Sequence, residues 1–233
     1  MNPATGEGPR PRQALKQALA ERRPIMGTFI QIGDPTIVEV LGKAGFDFGI
    51  LDLEHGGLQT SSVLPMVRAA DRTGLPLIVR LPMEKLPFVS QFLDSGARGV
   101  LAAKVGSVAD AATVVGVALE GPRAIADVDA ILSVPGLDFV FVGIFDLAAS
   151  LGLKPGLDLP EIQDAVRNIA GSAARHGLAA GAWAPDPTMA QHWLDLGVTF
   201  LPVSLDVLMW RSLCMSTVAD WRSRVDARGA AAG

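Results

Sequence analysis

The fold is decided by the segment Phe46-Asp47-Phe48-Gly49-Ile50-Leu51-Asp52-Leu53-Glu54-His55-Gly56-Gly57, residues 46–57. Its apolar residues are typical of a strand buried on both faces, as in a parallel sheet. Asp52, Glu54 and His55 cluster at the carboxyl end of that strand, the end that carries the catalytic groups in a barrel of parallel strands. Burying ionisable groups costs free energy unless they are solvated, paired or catalytic. The segment therefore predicts part of an active site, with a helix cap or a surface ion pair as the alternative.

Helix and strand patterns alternate along the chain, which predicts βαβ units and a parallel sheet. Eight strands are predicted, and this count favours a (β/α)8 TIM barrel of the α/β class over a doubly wound sheet. The length of 233 residues fits one such barrel. No Gly-x-Gly-x-x-Gly turn follows an early strand, so nothing indicates dinucleotide binding. The predicted strands are residues 25–32, 48–53, 76–81, 99–103, 114–119, 138–142, 178–184 and 200–204.

The barrel is predicted to form a single domain over residues 13–226, with a helical extension that begins near Val207. Residues 1–12 and 227–233 are predicted to be flexible tails. The connection between predicted strands 4 and 5 is unusually short, because a crossover between parallel strands normally takes a dozen residues or more.

The composition argues against several classes of function. The net charge is −4, the pI is about 5.4, and no basic stripe is present, so nucleic acid is not an expected partner. No apolar run reaches the ~20 residues of a membrane span, so no membrane partner is expected. The single cysteine, Cys214, excludes a disulfide framework and favours a cytoplasmic location. Cys214 lies in an apolar stretch, which suggests that its side chain packs in the core or in a subunit interface. The hydrophobic content of the whole chain, 49%, is enough for a large core and suggests a buried subunit interface.

Two carboxylates end neighbouring strands and could share a metal ion. Glu120 follows predicted strand 5 and Asp146 follows predicted strand 6. Mg²⁺ typically takes one or two carboxylates and completes its coordination with water and substrate oxygens. Such a metal polarises a ketone as a Lewis acid. The alternative for each carboxylate is the cap of the helix that follows it.

Two basic residues also lie at strand ends. The planar guanidinium of Arg80 suits a carboxylate or the oxygens of a 2-oxo acid, and a structural ion pair is the alternative. Lys104 could form a Schiff base if it were desolvated, although a lysine in a loop is more often solvated.

These residues lie in motifs that resemble the HpcH/HpaI aldolase family, the metal-dependent class II aldolases that act on pyruvate-type 2-oxo acids. The resemblance covers about residues 13–210. The matching motifs are Ala44-Gly45-Phe46-Asp47, Asp52-Leu53-Glu54-His55-Gly56, Val79-Arg80-Leu81-Pro82, Phe92-Leu93-Asp94-Ser95-Gly96-Ala97, Leu119-Glu120, and Val134 to Gly143 running on to Asp146-Leu147-Ala148-Ala149-Ser150-Leu151-Gly152.

The resemblance implies a catalytic role for several residues. His55 would be the acid/base residue, oriented by Asp94 of a neighbouring subunit. Arg80 would bind the carbonyl oxygen of the 2-oxo acid and stabilise its enolate. Glu120 and Asp146 would bind a divalent metal (Mg²⁺, Mn²⁺ or Co²⁺).

The resemblance also implies supporting roles. Asp52 and Glu54 would hold water bound to the metal. The substrate carboxylate would meet the backbone amides of a loop predicted from Gly143 through Phe145 to Asp146. Relatives are typically trimer-based hexamers that exchange a C-terminal helix, so a homo-oligomer (trimer or hexamer) is expected, and the apolar tail from Val207 is consistent with this.

Three features depart from the family pattern. Relatives carry a long, basic, glycine-rich segment between strands 4 and 5, of which little more than residues 104–114 remains here. They have a glutamine where this chain has Ala118, and a proline that is missing from residues 101–104. The implied activity is a carbon–carbon lyase that cleaves or forms 4-hydroxy-2-oxo acids from pyruvate-type acids and an aldehyde or other carbonyl acceptor. The alternatives are a biosynthetic condensing enzyme, such as one that forms citrate, and a catalytically silent barrel that binds a 2-oxo acid.

Overall fold

Eight parallel strands form a closed barrel in which each strand pairs with the next and β8 pairs with β1. This closed barrel confirms the (β/α)8 barrel predicted from the sequence. The structure is a computed structural model that describes residues 14–102, 114–154, 156–157 and 159–231. The strands are β1 (Ile25–Ile30), β2 (Phe48–Asp52), β3 (Leu77–Leu81), β4 (Gly99–Ala102), β5 (Val114–Leu119), β6 (Phe139–Val142), β7 (Ala179–Ala182) and β8 (Phe200–Leu205).

The helices surround the barrel, and several begin at recognisable caps. Asp34 caps the second helix and Asp186 the ninth, and each is followed by a proline, which suits the first turn because it has no N–H to leave unpaired. The helices are α1 (Ala14–Ala20), α2 (Pro35–Ala44), α3 (Val63–Thr73), α4 (Val89–Asp94), α5 (Pro122–Ala126), α6 (Val128–Leu132), α7 (Ile144–Ser150), α8 (Pro160–Arg175), α9 (Pro187–Asp195) and α10 (Asp206–Ala231), with 3₁₀ turns at Thr60–Ser62 and Met83–Phe88.

Aromatic side chains fill the lower part of the barrel interior. The ring centroids of Phe48 and Phe200 lie 4.2 Å apart in a stacked arrangement, and those of Phe139 and Phe200 lie 4.5 Å apart. Gly116 makes room for this packing, because a Cβ at that position would overlap the Phe139 ring. All three phenylalanines stand at the amino-terminal start of their strands. The closed end of the barrel is therefore the amino end, and the carboxyl ends of the strands form the open mouth.

The structure differs from the sequence-based prediction at two helices. Residues 143–146 were expected to form a loop, but α7 begins at Ile144, so Asp146 lies in its first turn. The C-terminal extension is one helix that continues to Ala231, past the predicted domain boundary at residue 226. The predicted flexible tail therefore overlaps this helix, and only residues 232–233 lie outside the described residues at that end.

Some predictions fall on residues that the structure does not describe. The tail at residues 1–12, Lys104 and nearly all of the short connection between β4 and β5 are among them. The ends of that connection are defined, because β4 pairs directly with β5 and Gly99 lies opposite Val114. None of the helices in the described ranges has the length and apolar character needed to cross a membrane.

Candidate active site

A buried ion pair joins the ends of β2 and β3. Asp52 and Arg80 are register partners on these strands. Arg80 Nε donates to Asp52 Oδ1 at 2.9 Å and Arg80 Nη2 donates to Oδ2 at 2.6 Å, so the contact is bidentate. Asp52 is fully buried and the Arg80 side chain is 17% exposed. A bidentate guanidinium–carboxylate pair fixes the orientation of both groups, so Arg80 is held in place at the mouth.

Asp52 is ionised although it is buried. Burial alone would raise its pKa, but the hydrogen bonds and charge of Arg80, with hydrogen bonds from Gln31 and the His55 backbone, outweigh burial and lower the pKa. The Glu54 backbone N–H is a further donor to Asp52 Oδ1, at 3.1 Å. Asp52 therefore positions Arg80 and the following turn, and the water-holding role implied by the resemblance stays a prediction.

Arg80 presents one edge of its guanidinium to the mouth. Its Cζ lies 4.4 Å from the centre of the Phe29 ring, which supports the flat face of the group. Glu54 Oε2 lies 3.4 Å from Arg80 Nε. Within the described residues the hydrogen bonds of Arg80 use Nε and Nη2, which leaves Nη1 for a substrate oxygen.

His55 stands at the rim of the mouth beside Glu54. Its Nε2 lies 3.6 Å from Glu54 Oε2, and its side chain is 54% exposed. The turn that carries both residues is held by the two backbone N–H groups that donate to Asp52 Oδ1. Glu54 therefore lies between the fixed cation of Arg80 and an imidazole that solvent and substrate can reach.

Glu120 lies at the end of β5 in a region of excess negative charge. Burial raises its pKa, and the charges of Asp146 and Glu54 raise it further, against smaller opposing effects of Arg80 and His55. Gly143 makes room for this side chain, because a Cβ at position 143 would lie 2.5 Å from Glu120 Cγ. The structure thus brings together Glu54, Glu120 and Asp146, three carboxylates from three different strand ends.

The donor set suits a divalent ion with an open coordination sphere. Among the described residues no group of three or more His, Cys, Asp and Glu side chains is arranged to hold a metal by itself. Glu120 and Asp146 supply two carboxylates, which is the number that Mg²⁺ commonly takes from a protein while water and substrate oxygens fill its other positions. A cation here would also remove the repulsion that raises the pKa of Glu120.

Two other predicted contributors take different positions. Asp94 is the last residue of α4 and its side chain is exposed on this chain. The Gly143 N–H donates to the Leu119 carbonyl at 3.0 Å, so it extends the β5–β6 pairing and already has an acceptor in the protein. The N–H groups of residues 144–146, in the first turn of α7, have no partner within the helix.

Gln31 and Lys85 belong to the site and were missed in the sequence. Gln31 Nε2 donates to Asp52 Oδ2 at 3.0 Å. The Gln31 backbone N–H is itself held by the buried carboxylate of Asp206, at the start of α10. Lys85 Nζ donates to the Leu53 carbonyl at 3.2 Å.

Pro82 explains the position of Lys85. The Leu53 N–H donates to the Arg80 carbonyl, so in a parallel ladder the next bond would run from the N–H of residue 82 to the Leu53 carbonyl. Proline has no N–H, and the Lys85 ammonium supplies the missing donor. A lysine three residues after the proline that follows β3 was the only local signal for this contact. It could be interpreted only once the strand register was known.

Replacing Lys85 with methionine is expected to lower the free energy of unfolding by about 1–2 kcal/mol, because the Leu53 carbonyl loses its charged donor. Lys85→Arg should retain most of the stability, since a guanidinium can still donate. Denaturant unfolding of both variants checks this, with Lys43→Met at an exposed position as the control. Equal stabilities for Lys85→Met and Lys43→Met would contradict the assignment.

Comparisons with known proteins identify the family of this chain. A protein-family model described as HpcH/HpaI aldolase/citrate lyase matches residues 26–120 and 108–212. A hydroxypyruvate/pyruvate aldolase of Cupriavidus necator is 28% identical in a gapped alignment 249 residues long, which covers 90% of this chain and 93% of that protein. A 5-keto-4-deoxy-D-glucarate aldolase of Escherichia coli O139:H28 is 30% identical in a gapped alignment 236 residues long, which covers 85% of this chain and 92% of that protein.

Solved structures share the barrel. An HpcH/HpaI aldolase/citrate lyase family protein from Burkholderia cenocepacia J2315 has a TM-score of 0.82 at 25% identity, covering 90% of this chain and 99% of that chain. Citrate synthase SbnG has a TM-score of 0.81 at 23% identity, covering 91% and 98%, which is a likeness of fold. The family model spans nearly all of the barrel, and the family predicted from the motifs is the one that it describes. This chain belongs to the HpcH/HpaI aldolase/citrate lyase family.

Proposed function

We propose that the protein is a divalent-metal-dependent carbon–carbon lyase that cleaves or forms 4-hydroxy-2-oxo acids through a pyruvate enolate. The observation that carries the proposal is the fixed Arg80 guanidinium beside the carboxylate cluster of Glu54, Glu120 and Asp146. A 2-oxo acid carries carbonyl and carboxylate oxygens that such a cation binds, and the carboxylates would hold a metal that polarises the ketone. The aldolase names of the relatives support the same class of reaction.

Arg80 binds the carbonyl oxygen at C2 and stabilises the negative charge that develops there as the enolate forms. Because this charge exists only as the reaction proceeds, a guanidinium held in advance by Asp52 favours the transition state over the bound substrate. Glu120 and Asp146 would hold the divalent ion (Mg²⁺, Mn²⁺ or Co²⁺), which would supply Lewis-acid polarisation of the 2-oxo group. The N–H groups of residues 144–146 would bind the substrate carboxylate.

His55 moves the proton. Cleavage requires a base that takes the proton from the C4 hydroxyl as the C3–C4 bond breaks, and an acid that returns a proton to C3 of the enolate. His55 suits both roles because an imidazole can accept and donate a proton, and its ring stands at the rim, 3.6 Å from Glu54 Oε2. Asp94 of a neighbouring subunit would orient its ring.

The test is an assay of the purified protein with Mg²⁺, Mn²⁺ or Co²⁺ and after chelation. Two readouts are needed: cleavage of a 4-hydroxy-2-oxo acid, and exchange of the methyl protons of pyruvate with ²H₂O, which requires the enolate but no aldehyde. We expect both to depend on added metal. A protein that binds pyruvate but shows neither reaction with any of the three ions is a silent barrel, and the proposal is then wrong.

The exposed apolar residues of α10 support a homo-oligomer, either a trimer or a hexamer. These side chains and Cys214 are spread over about half of the circumference of the exposed helix, and a large exposed apolar surface marks an interaction site. The exposed fractions are 61% for Trp210, 57% for Leu213, 64% for Met215, 48% for Val218 and 67% for Trp221.

Replacing Trp221 with glutamate is therefore expected to shift the protein toward monomer, because a charge would be buried in the contact between subunits. Light scattering after size-exclusion chromatography gives the mass directly. Ser223→Glu, on the opposite face of the same helix, is the matched control and should leave the mass unchanged. A monomeric wild-type protein would contradict the proposal.

A further inference from the structure

An aromatic pair forms the wall of the mouth next to the carboxylates. Phe145 directly precedes Asp146 in the first turn of α7, and Trp183 directly follows the last residue of β7. Their ring centroids lie 5.5 Å apart with the planes tilted by 51°. Phe145 is 47% exposed, so part of its ring is accessible to a ligand.

The indole N–H of Trp183 already has a hydrogen-bond acceptor in the protein. Its Nε1–H donates to the Ser204 carbonyl at 3.0 Å. Ser204 has a φ of 59°, in the left-handed region that side chains seldom adopt, and it lies where the pairing of β8 with β1 shifts register. This bend in the backbone at Ser204 directs its carbonyl toward the indole N–H of Trp183. Trp183 is therefore fixed in position and offers carbon surface to the mouth.

The apolar lining extends beyond this pair. Trp183, Ala118 and Leu205 are all half-buried and pack on the same interior cluster of the barrel. The charged side chains follow β2, β3, β5 and β6, and the last of them, Asp146, comes directly after Phe145. The mouth thus has charged groups that suit a 2-oxo acid and, beside them, an apolar, aromatic surface formed by side chains.

We propose that Phe145 and Trp183 form the subsite for the substituent at C4 of the 4-hydroxy-2-oxo acid, and that this substituent is aromatic. In the synthetic direction the carbon–carbon bond forms between pyruvate C3 and the carbonyl carbon of an aromatic aldehyde. The methyl proton leaves with the base and a proton reaches the new C4 hydroxyl, so the step needs no oxidant or reductant. The inference rests on the proposed lyase function and adds the class of aldehyde.

The physical reason is the balance between stacking and desolvation. An aromatic ring gains edge or offset contacts with both Phe145 and Trp183. The hydroxyl groups of a sugar-like aldehyde, or a second carboxylate, would lose water against carbon atoms without a new partner. We expect benzaldehyde to exceed glycolaldehyde by at least about tenfold in kcat/KM with pyruvate, since one good aromatic contact accounts for a factor of this size.

The experiment compares pyruvate with benzaldehyde, glycolaldehyde and glyoxylate in the metal-loaded protein, and follows pyruvate methyl-proton exchange separately. Trp183→Leu should lower the ratio of kcat/KM for benzaldehyde over glycolaldehyde about tenfold. Phe145→Asn, at a half-exposed position that tolerates a polar residue, tests the same ratio if Trp183→Leu does not fold. Val134→Ala, an exposed apolar residue before β6 at the opposite end of the barrel, is the control and should keep the ratio.

The outcomes separate the two proposals. Metal-dependent proton exchange with a preference for glycolaldehyde or glyoxylate overturns the aromatic subsite and leaves the lyase function standing. Absence of proton exchange overturns the lyase function itself. A benzaldehyde preference that survives both Trp183→Leu and Phe145→Asn places the aromatic site elsewhere and also overturns the inference.

Discussion

Replacing Arg80 with methionine is expected to lower kcat/KM by about 10²–10³-fold, the usual effect of removing one preorganised group that stabilises developing charge. The same substitution should lower the free energy of unfolding by about 3–5 kcal/mol. The second effect arises because Asp52 is fully buried and loses the guanidinium that neutralises it. Loss of both catalysis and stability is the combined result that this buried pair predicts.

Two variants separate charge from geometry. Arg80→Lys keeps a cation but loses the planar fork, so it should regain part of the stability and little of the activity. Arg167→Met removes the same type of side chain from an exposed ion pair with Asp164, where a loss of no more than about 1 kcal/mol is expected. Chemical denaturation and steady-state kinetics supply both readouts. If Arg80→Met were as stable as Arg167→Met, the pair would not be buried as described.

The contribution of Asp52 to the free energy of unfolding depends on pH. The pKa of Asp52 in the folded protein is below its ordinary value of 3.8, so the stability that it contributes is fully present above that value and is lost as pH falls toward the folded pKa. In Arg80→Met the main cause of the lowering is gone and burial dominates. The loss of stability caused by this substitution should therefore be larger at pH 7 than at pH 3.

Much of the fold could be predicted because buried parallel strands are short apolar runs. The bounds of β5, Val114–Leu119, were predicted to the residue. The structure around Gly143 was harder to predict, because a glycine after an apolar run suggests a loop. This glycine is needed because the Glu120 side chain occupies the space that a Cβ would take. Helix α7 begins at the next residue, Ile144.

The candidate site was only partly predictable. Asp52, Arg80 and Glu120 could be named because the carboxyl ends of parallel strands converge. Their contacts could not be derived, since whether Asp52 faces water or Arg80 depends on strand register. The position of Gln31 depends on its hydrogen bond to Asp206, which is 175 residues away in the chain. The contact made by Lys85 depends on which carbonyl Pro82 leaves without a donor, and no local sequence pattern contains that information.

Replacing Glu120 with glutamine is expected to lower metal-dependent kcat/KM by about 10³-fold, since Lewis-acid stabilisation supplies several kcal/mol and one of two carboxylate ligands is lost. The same substitution should make the metal-free protein more stable. The pKa of Glu120 is raised in the folded state by burial and by the charges of Asp146 and Glu54. The folded protein therefore holds this proton more tightly than the unfolded chain, and stability falls as pH rises from the ordinary value of 4.5 through the folded pKa.

Thermal melts of the wild type and Glu120→Gln, with EDTA and with Mn²⁺, test both halves of this prediction. In EDTA at pH 7.5 the variant should melt at a higher temperature than the wild type, and the difference should shrink as the pH falls through the folded pKa to below 4.5, where Glu120 is mostly protonated in both states. With Mn²⁺ at 100 times its Kd the wild type should gain about 2.7 kcal/mol, and the variant should gain little. Glu21→Gln, at an exposed position, should show the full metal response. A Glu120→Gln protein that gains as much from Mn²⁺ as the wild type would place the metal elsewhere, and one that is less stable in EDTA would mean that Glu120 is not crowded by the neighbouring carboxylates.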